Sequence, residues 1–220
     1  QIFIHETKKT KRTETLKISH SLLSISKTKK LSSLYPGTLI ISAKNGKLKV
    51  INDVDIEEYL RGVVPYEIGT LDEERFEALK VQAVAARTYA YRHLGSRQAL
   101  GFDVYADTRD QVYNGLSNAT PLTDKAIQET KGEILVYNNE PIQAYYHSTC
   151  AGHTESTIVW NQESPAYLSP RPDLKSDGSP WCSESSYMKW HILSLYDFLE
   201  VSGTFSCYFG VLWWGYTFFY

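Results

Sequence analysis

Along LKISHSLLSISK (residues 16–27) apolar and polar residues alternate, the period-2 signature of strands with one buried face. The alternation returns in TLIISAKNGKLKVIND (38–53), where Asn45-Gly46 supplies the pair that a type I′ turn prefers, so this run predicts a hairpin. SSLYPG (32–37) reads as the turn between these strands, and the whole predicts a small sheet over residues 1–52. The period then changes. Asp55 is placed to cap a short helix, with Glu58 as capping-box partner and Gly62 as its stop. In VVPYEIGT (63–70), Pro65 and Gly69 bracket Glu67 in what reads as a non-helical turn. Thr70 and Glu73 form a second capping box, predicting a helix to about Leu94 that Gly95 closes. Phe76, Leu79, Ala83, Ala86, Ala90 and Leu94 share one face of it, the stripe expected to be buried.

FDVYADTRDQVYNG (102–115) is rich in loop-forming residues, with tyrosines at 105 and 113. TPLTDKAIQETKG (120–132) predicts a helix capped by Thr120 or Thr123 and stopped by Gly132. EILVYNNEPIQAYYHSTC (133–150) predicts a hairpin turned at Asn138-Asn139, and the chain to about Pro180 reads as irregular. The fold class is therefore α+β. A small amino-terminal β-sheet subdomain (1–52) precedes a helical core with a β-hairpin (53–190), with a substrate cleft between them and a divergent tail (191–220).

Composition changes this picture in two places. A net charge of -2 in 220 residues gives no argument for nucleic acid as the partner. The basic residues Lys8, Lys9, Lys11, Arg12, Lys27, Lys29 and Lys30 read as a solvated edge. No signal peptide or membrane anchor is legible near Gln1, which leaves location open. The uncharged, aromatic CYFGVLWWGYTFFY at 207–220 is too short to span a bilayer, which takes about 20 apolar residues.

Three places carry candidate chemistry. Glu67 sits among Val63, Val64 and Ile68, where loss of water raises a carboxyl pKa toward the range in which one group serves as acid and then base. The helix after it pulls the other way, because its amino-terminal dipole favours the ionised form. Local pattern leaves that sum open. Arg87 lies within AVAARTYAY, where a charge must find a partner or line a cleft, since burying it unpaired is costly. An ion pair with Glu77 or Glu133 is one reading, and hydrogen bonding to substrate is the other. His147, Cys150, His153 and Cys182 supply enough imidazole and thiol for a tetrahedral zinc, structural if all of them bind. A Cys150–Cys182 disulfide, or unlinked residues, are the alternatives. Cys207 has no assigned role.

The run GVVPYEIG…FEALKVQAVAARTYAY resembles the stage II sporulation protein D / amidase enhancer (SpoIID/LytB) family. FDVYADTRDQVYNG, AIQETKGEILVYNNEPIQAYYHSTCAGHTES, VW and PAYL follow in the family's order, so the resemblance covers roughly residues 52–190. It implies a lytic transglycosylase that acts on glycan strands stripped of their peptides. The glutamate of the family's VVxxE motif, here Glu67, would be general acid and then general base, and the product a 1,6-anhydro-MurNAc end. Arg87 matches the arginine of QAxAART and His147 the histidine of YHST, and both are implied substrate-cleft residues, as is Tyr113. Tyr66 stands where many members have Ser, and Ile68-Gly69 where many have Met-Pro. Cys150, His153 and Cys182 are similar to the zinc-containing members. The resemblance also implies peptidoglycan as the partner, a place in the cell envelope outside the cytoplasm, and a rival reading as a glycan-binding amidase enhancer that does not cut. A zinc hydrolase with an open metal position is a third and weaker reading.

Overall fold

The computed structural model describes residues 15–19, 23–25, 33–44, 47–160 and 162–188. The basic residues near the amino terminus, the Asn45-Gly46 turn, Trp190, Cys207 and the tail from 191 lie outside them. The chain divides into two compact units, one ending at Tyr145 and the other beginning at Tyr146.

The first unit opens with β1 (Thr15–Ser19), β2 (Leu23–Ile25), β3 (Ser33–Tyr35), β4 (Thr38–Lys44) and β5 (Lys47–Asp53). β1, β4 and β5 form an antiparallel sheet in that order, and β2 pairs with β3. The predicted hairpin forms: Thr38 faces Asp53 and Lys44 faces Lys47, leaving two residues for the connection. Leu39 and Ile41 of β4 are buried, which selects the face and with it the register. SSLYPG is less of a turn than its composition predicts, because Ser33–Tyr35 pairs as β3.

Helix α1 (Ile56–Arg61) starts as expected, with the Asp55 carboxylate accepting the Glu57 amide at 2.9 Å, and stops at Gly62. Glu58 does not complete a capping box; it pairs with Arg61 at 2.8 Å. The segment around Glu67 corrects the sequence expectation, since Val64–Glu67 is a short helix, α2. Pro65 belongs there because its fixed φ suits a first helical turn and its missing N–H is not needed. A second correction follows at 70–73, where a 3-10 turn (Glu73–Arg75) without a side-chain cap leads into α3 (Phe76–Arg92). Because α3 ends at Arg92, Leu94 falls beyond the buried stripe and is 57% exposed.

Leu79, Ala83, Ala86 and Ala90 of α3 pack with Tyr59, Leu60, Val63, Val64, Tyr113, Ala126 and Ile127 as one buried core. The alanines let neighbouring backbones approach α3 closely, as ridges meeting shallow grooves. α4 (Pro121–Glu129) is capped by both threonines that the sequence offered as alternatives: Thr120 Oγ1 accepts the Thr123 amide at 3.2 Å, and Thr123 Oγ1 accepts the Thr120 amide at 2.9 Å. The later hairpin is only β6 (Val136–Tyr137) and β7 (Glu140–Pro141), turned at Asn138 and Asn139 with φ of 52° and 63°. These left-handed values favour the short polar Asn side chain.

The second unit has little regular structure among its described residues. Thr154 and Arg171 exchange backbone and hydroxyl bonds, and the Asp173 amide donates to the Gly152 carbonyl at 2.9 Å. Gly152, at φ +95°, lies so close to Leu174 and Pro180 that a Cβ would meet them at 2.9 and 3.0 Å. Among the described residues no helix is long and apolar enough to cross a membrane.

Candidate active site around Glu67

Glu67 is the last residue of α2, and one of its oxygens, Oε1, accepts the Val112 backbone N–H at 2.7 Å. Burial raises its pKa above the ordinary carboxyl value, and the Val112 bond opposes that without cancelling it. The direction that local pattern left open is thereby decided: the shift is upward, with burial as its main cause. No ion pair reaches Glu67 among the described residues.

Val112 is held in place by its neighbours in chain order. Gln111 is fully buried; its Oε1 accepts the Tyr59 hydroxyl at 3.1 Å and its Nε2 donates to the Ala86 carbonyl at 3.2 Å. Tyr113 is buried as well, and its hydroxyl donates to Asn52 Oδ1 at 2.6 Å. Its ring packs on Tyr35 and Tyr59, with centroids 5.8 and 5.0 Å away. Gly62 makes room for that ring, since a Cβ there would come within 2.5 Å of it. Burial pushes the Tyr113 hydroxyl pKa upward, so it stays a neutral donor. Sequence reasoning missed Gln111 altogether. The only signal was an amide side chain in a motif otherwise read as loop.

A groove of about 480 Å³ lies between the sheet and the helical core, bounded by Lys49, Asn52, Tyr59, Asp103, Tyr105 and Tyr113 among others. Glu67 is not among its lining residues. Tyr113 is where the groove and the Glu67-binding segment meet in the chain.

Arg87 corrects its reading as a substrate contact. It is fully buried and grips both oxygens of Glu57, Nε to Oε1 at 2.9 Å and Nη2 to Oε2 at 2.7 Å. Its remaining donors reach the Glu133 and Ile127 carbonyls at 3.1 and 3.3 Å. The carboxylate partner is Glu57 rather than Glu77 or Glu133. Arg87 thus braces α1 and the end of α4 against α3, with no surface left for substrate.

In the second unit, Cys150 and Cys182 come together with Sγ atoms 4.0 Å apart and no disulfide. The Cys150 thiol donates to Asp173 Oδ2 at 3.1 Å. Burial and that bond push the Cys150 pKa up to about 11. Burial also acts to raise Cys182, but the backbone N–H groups of Cys150, Ala151 and Gly152 and the Cys150 thiol lower it below the ordinary thiol value. The sulfur separation suits two thiolates on one tetrahedral zinc, which sit about 3.8 Å apart at the usual bond length. Yet no group of three or more His, Cys, Asp or Glu converges as a metal site among the described residues. The cysteines fit half of the expected site, and His147 and His153 are not assembled with them. His147 is exposed as a whole residue, while partial desolvation of its ring nitrogens holds its pKa below the ordinary value, against the pull of Asp173.

Residues 44–137 match the SpoIID family, described as stage II sporulation protein. An uncharacterised protein of Brachyspira hyodysenteriae is 37% identical over 156 residues, covering 70% of this chain and 42% of that protein. Stage II sporulation protein D of Bacillus subtilis is 33% identical over 154 residues, covering 63% of this chain and 43% of that protein. The amidase enhancer of Bacillus subtilis is 40% identical over 124 residues, 56% of this chain and 16% of that protein. Over this region the chain carries the SpoIID family's sequence, shared with stage II sporulation protein D and the amidase enhancer. It spans less than half the length of these relatives.

Proposed function

We propose that this chain is a peptidoglycan lytic transglycosylase, with Glu67 as the single general acid and base. The observation that carries this reading is a half-buried carboxyl whose pKa burial raises while one oxygen is fixed by the Val112 amide. In the proposed reaction, Glu67 gives its proton to the glycosidic oxygen between N-acetylmuramic acid and N-acetylglucosamine. The bond to the muramyl anomeric carbon breaks, and the carboxylate then takes the proton of the muramyl 6-hydroxyl as that oxygen attacks the same carbon. The product is a 1,6-anhydro-MurNAc end, no water is consumed, and Glu67 is again protonated. One carboxyl suffices, unlike the paired carboxylates of most glycosidases. The substrate is peptide-free glycan, which puts the protein in the cell envelope outside the cytoplasm.

The likeness to an amidase enhancer supports a second reading, in which the chain binds glycan or a cell-wall amidase without cutting. Incubating the wild type and Glu67→Gln with peptide-free glycan strands separates the two. Anhydromuramyl products from wild type alone, seen by mass spectrometry, support the enzyme. Retention of the strands without products supports the binding module and overturns the enzyme. The cysteine pair is proposed as the thiolate half of a structural zinc site, completed by His147 and His153. Elemental analysis finding one zinc per chain supports this, and a Cys150–Cys182 disulfide without zinc overturns it.

A further inference from the structure

Two residues before Val112, a carboxylate outside the proposed reaction gathers three donors. The Asp110 side chain is 1% exposed. Its Oδ1 accepts the Tyr89 hydroxyl at 2.8 Å and Arg97 Nη2 at 2.9 Å, while its Oδ2 accepts the Tyr105 amide at 2.7 Å. These donors come from α3, from the turn after it, and from the start of the segment that ends at Tyr113. Arg97 and Arg109 flank the Tyr105 ring at 5.1 and 3.5 Å, and Arg109 is paired with Asp107. One carboxylate thus closes the loop on itself and ties it to α3. Gln111 adds a second tie to α3 through the Ala86 carbonyl.

We propose that Asp110 is a positioning residue for Glu67: by tying the 105–112 segment to α3 it holds the Val112 amide against Glu67 Oε1. The proposal rests on Glu67 as the acid and base. A single amide bond at 2.7 Å is sensitive to small shifts of its donor, because hydrogen bonds weaken steeply with length and angle. Arg97 faces Asp110 directly and Arg109 stands beside it across Tyr105, so the charge they would lose on substitution is itself part of the loop's order. Val112 is the polar partner of Glu67, and no charged side chain is paired with that carboxyl among the described residues.

The test needs no substrate. In protein labelled with carboxyl-13C glutamate, the Glu67 resonance is titrated in wild type, Asp110→Asn and Tyr89→Phe. Losing the Val112 bond removes the interaction that lowers the Glu67 pKa, so the titration midpoint should move to higher pH in Asp110→Asn. A smaller move in the same direction is expected in Tyr89→Phe, which keeps the carboxylate and removes one donor. Amide exchange at Val112 should quicken on the order of tenfold as the local closed state is lost. Where glycan is cleaved, the alkaline limb of the rate profile should shift upward with the NMR midpoint. A lowered melting temperature with the Glu67 midpoint and Val112 exchange unchanged overturns the proposal and leaves Asp110 a structural anchor. If Asp110→Asn does not fold, the Tyr89→Phe midpoint decides alone. A wild type that cuts no glycan overturns the proposed function, and the NMR comparison still reports on Asp110.

Discussion

Glu67 in the first unit and Cys182 in the second are both acids met by backbone N–H groups, and their pKa values move in opposite directions. At Glu67 one amide, from Val112, works against burial and burial wins, so its pKa rises above the ordinary carboxyl value. At Cys182 three successive amides, from Cys150, Ala151 and Gly152, work against burial and the amides win, so the group sheds its proton more readily. Ala151 and Gly152 both have positive φ, at 54° and 95°, the curl that turns consecutive N–H groups toward one point. A helix end such as that of α2 presents no such curl to its last side chain. Glu67 lies deeper than Cys182 and meets fewer donors, and the two differences together set the opposite directions of their shifts.

The largest expected effect breaks the comparison on the Glu67 side. Glu67→Gln should lower glycan cleavage by about 10²–10⁴-fold, the usual worth of a general acid and base, measured as anhydromuramyl product. The same variant should be more stable than wild type near neutral pH. A raised folded pKa means that Glu67 favours the fold below its unfolded pKa, and this contribution is lost as pH rises through the folded value. Melting curves of the two proteins should therefore converge in acid and separate as pH rises. Equal melting at neutral pH would show that burial does not strain this carboxyl.

Arg87 extends the comparison to a cation, which is fully buried yet met by a bidentate carboxylate and two carbonyls. Arg87→Met should cost about 3–5 kcal/mol in denaturant unfolding, because Glu57 is left without its partner. Removing Glu57 as well should recover part of that loss. A cost below about 1 kcal/mol, the level of an exposed pair, would show that the brace is not needed.

Gly62→Ala tests the seat of Tyr113. The added Cβ meets the ring at 2.5 Å, and overpacking of this kind costs about 1–3 kcal/mol. Because Tyr113 follows Val112, the Glu67 midpoint should shift in the same variant. The smallest effect sharpens the thiol side. With no metal bound, Cys182 should be alkylated before Cys150 at mildly alkaline pH, on the order of tenfold faster as its larger thiolate fraction dictates. Peptide mapping by mass spectrometry reads the order, and equal rates would break the contrast.

Local interactions were legible in the chain. The Asp55 cap, the threonine cap of α4 and the β4–β5 hairpin depend on residues close in the chain, and each formed as expected. The alanine stripe of α3 was equally clear, except that Leu94 fell beyond a helix that ends at Arg92. The turn around Glu67 was misread because α2 is too short to show a period. The motif order marked Glu67, but it held no information on the partner of Arg87 or on Asp110 and Gln111.

Sequence alone therefore determined the α+β class, the family, and the identity of Glu67 as the candidate acid and base. Only the tertiary structure decided the direction of its pKa, because burial and the Val112 amide come from segments more than forty residues apart. The same holds for Arg87, whose neighbours in sequence are apolar and whose true partners lie on α1 and at the end of α4. Capping and periodicity act through neighbours along the chain. Desolvation and buried hydrogen bonds act through whatever the fold brings near, and at Glu67 those are the forces that set the direction of its pKa.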